Sequence, residues 1–322
     1  MDTVLNLLSL FGSLALFLFG MKTMSEGLEK FAGDRLRAIL AAMTKNRVMG
    51  VVTGIVITAM IQSSSATTVM VVSFVNAGLM TLTQAIGVIM GANVGTTVTA
   101  WMISAIGFKV NIAALTLPLM CVGMPLIFSS VSKRKSVGEF IFGFAFLFMG
   151  LSYLQQSATD LNIGSYVANL LAGMADGGFL TILLFVVVGA LVTMLVQASA
   201  ATMAITLMLF DMHIQGFGFE QAAALAMGQN IGTTITAFMA SLTANTQAKR
   251  AALAHMFFNV FGVLVVLIMF YPFCDAVTWI VPNVLHAGDN DLFRLSAFHT
   301  AFNIFNTFLL LGFVKQIEAF VC

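Results

Sequence analysis

Long apolar runs alternate with short polar breaks along the whole chain. Val4 to Met24, Ile112 to Val131, Val137 to Leu154, Ala251 to Tyr271 and Ser296 to Val314 reach or approach the ~20 residues that cross a bilayer core. They predict membrane-crossing helices. Four further stretches are apolar at both ends and polar in the middle. Val48 to Gly78 is interrupted by Gln62-Ser-Ser-Ser-Ala-Thr67, and Thr181 to Met212 by Gln197-Ala-Ser-Ala-Ala-Thr202. Leu82 to Phe108 carries Gly91-Ala-Asn-Val-Gly-Thr-Thr97, and Phe219 to Leu242 carries Gly228-Gln-Asn-Ile-Gly-Thr-Thr234. The first pair predicts re-entrant helical hairpins with polar tips. The second pair predicts crossing helices deliberately broken at Gly91, Gly95, Gly228 and Gly232.

These stretches answer one another. The two Gln-led segments lie 135 residues apart and the two Gly-x-Asn-x-Gly-Thr-Thr segments 137 apart, while Ala15-Leu-Phe-Leu-Phe-Gly-Met21 resembles Ala145-Phe-Leu-Phe-Met-Gly-Leu151. A unit of about 135 residues is therefore duplicated. We read residues 1–135 as the first repeat, 136–272 as the second, and 273–322 as an outer interfacial segment with a final span.

Charge sets the orientation. The 14 Lys and Arg cluster after the first span, at Lys133-Arg-Lys135 and at Lys249-Arg250, with Lys315 near the end. Basic loops stay cytoplasmic. One threading leaves only Lys109 and Arg294 outside. Span 1 runs inward, Leu28 to Met43 lies on the inner surface, and the first hairpin enters from inside. Leu82 to Phe108 crosses outward and Ile112 to Val131 returns. The second unit repeats this upside down, with Val137 to Leu154 going out, Ile163 to Met174 on the outer face and the second hairpin entering from outside. Phe219 to Leu242 then crosses inward, Ala251 to Tyr271 goes out, and Phe293 to Val314 comes back. The predicted class is an all-α membrane protein of two inverted-topology repeats, each with a re-entrant hairpin and a broken transmembrane helix.

Composition agrees. Hydrophobic residues make up 60% and charged residues 8%, against roughly 25% charged in soluble domains. The first run is too long for a signal-peptide core and lacks a cleavage pattern, so it reads as a retained span. The three cysteines have no metal or disulfide spacing, and the net charge of +1 points to no nucleic acid. Met and Phe, though abundant, read as packing and lipid contact.

Backbone that leaves the helix at membrane depth must be buried in protein or line a wet cavity. Serines and threonines are good N-caps, so Ser63 to Ser65 and Thr96-Thr97 can each start a half-helix whose N–H groups hold an anion. Amide, hydroxyl and freed carbonyl oxygens suit hard cations such as sodium. A single Ser-Ser-Ser is equally well explained by hydroxyls bonding their own helix. That explanation does not account for the same residue types recurring in register in two halves. Ala254-His-Met-Phe-Phe-Asn259 and Phe298-His-Thr-Ala-Phe-Asn303 each place His and Asn one turn apart, read first as helix-to-helix hydrogen bonds and second as a relay. Gln84 and Gln221 occupy matching positions, Asp211 sits near the second hairpin's return, and Arg250 marks a cytoplasmic helix start.

At these residues the chain resembles the sodium-dependent phosphate cotransporter family, whose animal branch is the type II renal and intestinal cotransporters. The resemblance spans nearly the whole chain and rests on the paired Gln-led and Gly-x-Asn-x-Gly-Thr-Thr motifs and the His-x-x-x-Asn helix. It implies a multi-pass protein of the bacterial inner membrane that is not an enzyme, needs no cofactor, and couples sodium ions to inorganic phosphate by alternating access. Carried over by position, phosphate falls to Ser63, Ser64, Ser65, Thr97, Ser199 and Thr234. Sodium falls to Gln62, Thr67, Asn93, Thr96, Gln197, Thr202, Asn230 and Thr233. The division between the two ligands stays open. Partner expectations are a homodimer and a helical phosphate-regulatory protein. Many bacterial relatives carry such a helical domain after the last span, which makes this chain a short branch or a truncated one.

One departure matters. Ala198 and Ala200 stand where the first hairpin has Ser63 and Ser65, so the site should be lopsided. No Lys or Arg lies within either polar cluster, and a desolvated phosphate dianion needs compensating charge. Bound cations are the natural remainder. Transport of another oxyanion, phosphate export, a sensor without flux, and an intramembrane hydrolase using Ser64 and His255 remain alternatives, the last weakened by the absence of a base beside the serine.

Overall fold

The computed structural model describes residues 2–32, 46–107, 112–172 and 178–322, and among them every regular element is helical. In chain order these are α1 (Asp2–Ala32), α2 (Arg47–Ile61), α3 (Ser64–Asn76), α4 (Leu82–Met102), a π-helical turn (Ile103–Gly107), α5 (Ile112–Ile127), α6 (Ser132–Asp160) and α7 (Ile163–Ala172). The second half adds α8 (Phe179–Val196), α9 (Ser199–Asp211), α10 (Phe219–Ser241), α11 (Thr246–Ile268), α12 (Phe270–Asn283), α13 (Asp291–Leu311) and α14 (Val314–Val321). Among the described residues five helices are long and apolar enough to cross a membrane, or six if the α13–α14 pair, bent by 81°, counts as one span. The chain is thus a multi-pass helical protein. The bend falls at the end of the expected final span, Phe293 to Val314, which α13 covers up to Leu311. The inner-surface segment expected at Leu28 to Met43 lies mostly outside the described residues, and its first part simply continues α1 to Ala32.

The helices gather into two compact units. The first holds α1, the π-turn, α5, α6, α7 and residues 212–217, and the second holds α2 to α4 and α8 to α14. Each sequence repeat contributes to both. In the first unit α1 and α6 run antiparallel and touch backbone to backbone, with Gly20 against Leu147, Gly143 against Met24, and Gly150 against Phe17. A Lys30–Glu139 ion pair of 2.9 Å closes one end. The α5 helix packs on α6 but, at 16 residues with Pro118 and Pro125 inside, it is shorter than the expected span.

In the second unit the expectation of broken helices fails. Both α4 and α10 run unbroken through their Gly-x-Asn-x-Gly-Thr-Thr segments. The glycines are contact points instead. Any Cβ at Gly91 would collide with the Val51 carbonyl and at Gly95 with Ile55 and Thr58. Gly228 meets Val186, and Gly232 meets Ala190 and Thr193, in the same way. The partner helix returns the contact, Gly54 on Val88 and Gly189 on Leu225. Every one of these second-half contacts lies 135 to 137 residues after its first-half counterpart. Two helix pairs, α2 with α4 and α8 with α10, are thereby locked at backbone distance in the same register.

Burial explains why α10 tolerates so much polarity. Its 23 residues are long enough to span, yet its hydropathy keeps it out of the set of candidate spans, because Gln229, Asn230, Thr233 and Thr234 are buried in protein and need not dissolve in lipid. By contrast α8 is apolar throughout and at 18 residues just meets the span length, while α2, its counterpart, has 15. Gln84 and Gln221, the matched pair from the sequence, start α4 and α10. The Gln84 Oε1 accepts from the Thr81 N–H at 2.8 Å, and the Gln221 Oε1 from the Gly218 N–H at 3.0 Å.

The close contacts generate a test. Overpacking a tight core costs about 1–3 kcal/mol, so Gly91→Ala and Gly228→Ala should each lower stability by that amount. Gly312, whose Cβ would meet nothing within 4 Å, should accept alanine within about 0.5 kcal/mol. Thermal or denaturant unfolding in detergent reads the difference, and equal effects at all three positions would refute the packing account.

Candidate functional site

The polar residues of both repeats meet in the second unit, and they do so in matched constellations. Each Gln-led segment is a two-residue break between helices. Gln62 ends α2 with φ 58° and Gln197 ends α8 with φ 55°, both in the left-handed region, and each N–H donates to the carbonyl four residues back, Thr58 at 2.7 Å and Thr193 at 2.8 Å. Across each break the Thr58 and Thr67 hydroxyls lie 3.0 Å apart, as do those of Thr193 and Thr202. The Thr67 hydroxyl also donates to the Ser63 carbonyl, and that of Thr202 to the Ala198 carbonyl. Thr58 and Thr193 escape a sequence reading because a lone threonine in an apolar run carries no local signal. Only the 135-residue offset could flag them.

Deeper in the unit, asparagines pair across helices. Asn93 Nδ2 donates to Asn259 Oδ1 at 3.1 Å, and Asn230 Nδ2 donates to Asn303 Oδ1 at 2.7 Å. Asn259 and Asn303 in turn donate to the carbonyls of His255 and His299, one turn earlier on α11 and α13. The His-x-x-x-Asn motifs are therefore helix-to-helix connections, the first of the two readings. His299 Nε2 also lies 3.3 Å from Asn230 Oδ1. Thr307 of α13 reaches the Met90 carbonyl of α4.

The serines divide as the sequence suggests. Ser63 caps α3, its hydroxyl accepting the Ala66 N–H at 3.1 Å, and Ser64 opens that helix in a buried position. Ser65 accepts from the Thr236 hydroxyl at 3.3 Å, which ties the start of α3 in the first repeat to α10 of the second. The α10 helix packs on both α3 and α9, so it bridges the two short helices. In the second repeat Ser199 opens α9 and is buried, but Ala198 offers no capping hydroxyl and Ala200 no counterpart to Ser65. The glutamines differ as well. Gln62 is half-buried with its Oε1 accepting from Thr99 at 2.9 Å, whereas Gln197 is exposed and its amide lies 3.8 Å from the Met239 sulfur. Thr99 and Thr236 sit at matching positions just after the repeated motif, and nothing in their local sequence sets them apart from the threonines before them.

One role is corrected. Thr96, Thr97, Thr233 and Thr234 start no half-helix, because their helices do not break. Their hydroxyls donate to their own helices, to the carbonyls of Ala92, Val94, Gln229 and Ile231. Each oxygen still has lone pairs to offer a cation. The side-chain amides of Gln229 and Asn306 and the His255 ring are fully buried and hydrogen-bond to no described residue, so the polar interior extends past the bonded pairs. Arg250 donates to the Cys322 carbonyl, away from these clusters, which fits its reading as a helix-start residue.

No solved structure matches the chain. Its sequence relatives are more informative. Over 311 residues it is 30% identical to the uncharacterized protein YqeW of Bacillus subtilis, covering 96% of this chain and 94% of that one. It is 26% identical over 318 residues to YjbB of Salmonella typhimurium, a protein named as a putative inorganic phosphate export protein. That match covers 98% of this chain and 55% of the longer relative. A shorter segment of 92 residues is 40% identical to the sodium-dependent phosphate transport protein 2A of Rattus norvegicus, 27% of this chain and 14% of that protein. The family model described as Na+/Pi-cotransporter matches residues 16–156 and 163–275, which takes in both Gln-led breaks, both glycine-rich helices and the first His-Asn helix. The chain therefore belongs to the Na+/Pi-cotransporter family.

Proposed function

We propose that this protein couples sodium to the movement of inorganic phosphate across the bacterial inner membrane by alternating access. The observation that carries the reading is the duplicated constellation. Left-handed glutamine, threonine pair, short-helix start and buried asparagine pair occur twice, in one compact unit. The antiparallel run of α1 and α6, the helices that begin the two repeats, supports an inverted relation between the halves. On that topology the two-helix elements α2–α3 and α8–α9 are the re-entrant hairpins.

The chemistry follows from what each element can offer. A helix start carries roughly half a positive charge and free N–H donors, so the beginnings of α3 and α9 suit phosphate oxygens. Ser63, Ser64, Ser65 and Ser199 stand at those starts, and Thr97 and Thr234 complete the phosphate set. Gln62, Thr67, Asn93 and Thr96, with Gln197, Thr202, Asn230 and Thr233, supply neutral oxygens for sodium. Buried Gln229 and Asn306 offer further amide oxygens beyond that set. Two partial charges fall short of a phosphate dianion, and bound sodium supplies the rest. Sodium then becomes part of the phosphate site and not merely a companion.

A second reading, phosphate export on the same scaffold, is favoured by the YjbB relatives, which match this chain almost end to end. Flux measured in both orientations of reconstituted vesicles separates the two directions.

Purified protein in liposomes should take up labelled phosphate with a sodium gradient and lose most of that flux when potassium replaces sodium. Equal flux in both salts would defeat the coupling. A hydrogen bond to a charged ligand contributes about 1.5–3 kcal/mol, so Ser64→Ala and Asn230→Ala should each weaken phosphate handling by roughly 10- to 100-fold with unchanged melting temperature. Wild-type transport by both variants would remove these residues from the site. Because only the first hairpin has a capping hydroxyl, Ser63→Ala should lower apparent phosphate affinity, and the reverse change, Ala198→Ser, should not. Indistinguishable affinities for Ser63→Ala and wild type would show that the lopsidedness has no functional weight.

A further inference from the structure

The α1–α6 pair is apolar and glycine-packed over most of its length, yet it opens into a polar cavity at the end that holds the start of α1 and the end of α6. The cavity measures about 390 Å³ and lies wholly within the first unit. Its size falls in the range of small-molecule sites, roughly 300–1,000 Å³. At its floor the Ser13 and Ser157 hydroxyls lie 3.4 Å apart, and Ser13 also bonds the Ser9 carbonyl. The walls are Asn6 and Ser9 from α1, and Tyr153, Gln156 and Asp160 from α6. Positions 6, 9 and 13 share one face of α1, and 153, 156, 157 and 160 share one face of α6. Two polar stripes therefore meet across the cavity, on helices that both qualify as membrane spans.

The lining is open to the surface, with Ser9, Tyr153, Gln156 and Asp160 exposed, and Gln156 and Asp160 lie just past the expected span Val137 to Leu154, where a headgroup rather than a hydrocarbon tail would meet them. Asp160 is the charged member, and no basic side chain among the described residues pairs with it. The basic cluster Lys133 to Lys135 is at the opposite end of α6. The other polar groups that line the cavity are neutral donors: the Asn6 and Gln156 amides, the Ser9 hydroxyl and the Tyr153 phenol. On α1, Leu16 lines the inner end of the cavity, and Leu5, beside Asn6, is 54% exposed, so the polar groups adjoin apolar surface. One carboxylate, several neutral donors and a flanking apolar face together describe a ligand with a cationic end, an anionic middle and hydrocarbon tails.

We propose that this cavity is a lipid site for a phospholipid whose headgroup carries a primary ammonium. The Asp160 carboxylate accepts the ammonium N–H groups, the amides and phenol donate to the phosphodiester oxygens, and the acyl chains leave the cavity past Leu16. A primary ammonium is favoured over a quaternary one because only the former can donate hydrogen bonds to the carboxylate. An anionic headgroup such as glycerol phosphate would meet Asp160 with like charge. The site shares no residue with the duplicated constellation, and the proposal is independent of which ion drives phosphate movement.

The test uses the full chain, delipidated in detergent and titrated with phosphatidylethanolamine, phosphatidylcholine or phosphatidylglycerol, with retained lipid counted by native mass spectrometry. Wild type should retain phosphatidylethanolamine at least about tenfold better than either other lipid. Asp160→Asn should abolish that preference, and Gln156→Leu should weaken retention severalfold, with melting temperatures unchanged. Equal retention of phosphatidylglycerol, or unchanged selectivity in Asp160→Asn, would overturn the proposal. So would binding of soluble glycerophosphoethanolamine as tightly as the lipid, which would identify a free-headgroup site. Efficient disulfide cross-linking of Asn6→Cys between two chains, undiminished by added phosphatidylethanolamine, would show a second copy in the groove and also overturn it.

Discussion

Backbone-to-backbone contact at glycines is the constraint on which the second unit depends. Where Gly91 meets Val51 and Gly228 meets Val186, no side chain separates the helices, so α2 and α8 are held against α4 and α10 at a distance that nothing larger than glycine permits. That closeness brings Gln62, at the end of α2, within reach of Thr99 on α4. In a bilayer, where apolar side chains gain little by leaving lipid for protein, small residues that allow close van der Waals approach take over the role a hydrophobic core plays in water.

The same physics separates what is legible in the chain from what is not. The apolar runs, the duplication and the start of α3 at the serines are legible, because span length, register and N-cap chemistry are local signals. The glycine-rich segments mislead. Gly-x-Asn-x-Gly-Thr-Thr looks like a helix breaker when propensity is weighed alone, since glycine disfavours helix and threonine and asparagine favour caps. Burial reverses that preference: the glycines face a neighbouring backbone, the asparagines find partners on α11 and α13, and the threonines return their hydrogens to their own helices. What decides between break and contact is the identity of the neighbour, and that is a tertiary fact. The partners Asn259 and Asn303 lie 44 residues apart, outside the 135-residue register, so the duplication does not announce which asparagine each would meet.

The two halves are matched in backbone and unmatched in side chains. Both breaks have the same left-handed residue and the same threonine pair, but only the first has Ser63 as a cap, Ser65 bonded to Thr236 and a glutamine bonded to a hydroxyl of its neighbouring helix. Symmetry is thus kept where it serves the packing of the helices and relaxed at the short-helix starts. A duplicated scaffold with a lopsided interior lets one half specialise while the geometry of the other is preserved.

At the two left-handed glutamines the matched backbone and the unmatched side chains collide. An L-residue in that region costs roughly 1–2 kcal/mol that glycine would not incur, and strain of this kind persists where the surroundings require the side chain. At Gln62 the requirement is visible in the bond to Thr99. At Gln197 the side chain is exposed and reaches the neighbouring helix only through its amide, which donates to the Met239 sulfur at 3.8 Å. The backbone there bears the same conformational cost with only this longer, exposed contact to a weak sulfur acceptor to offset it. Gln197 is therefore the less restrained of two otherwise equivalent corners, a point of compliance beside helices whose glycines hold them rigidly together.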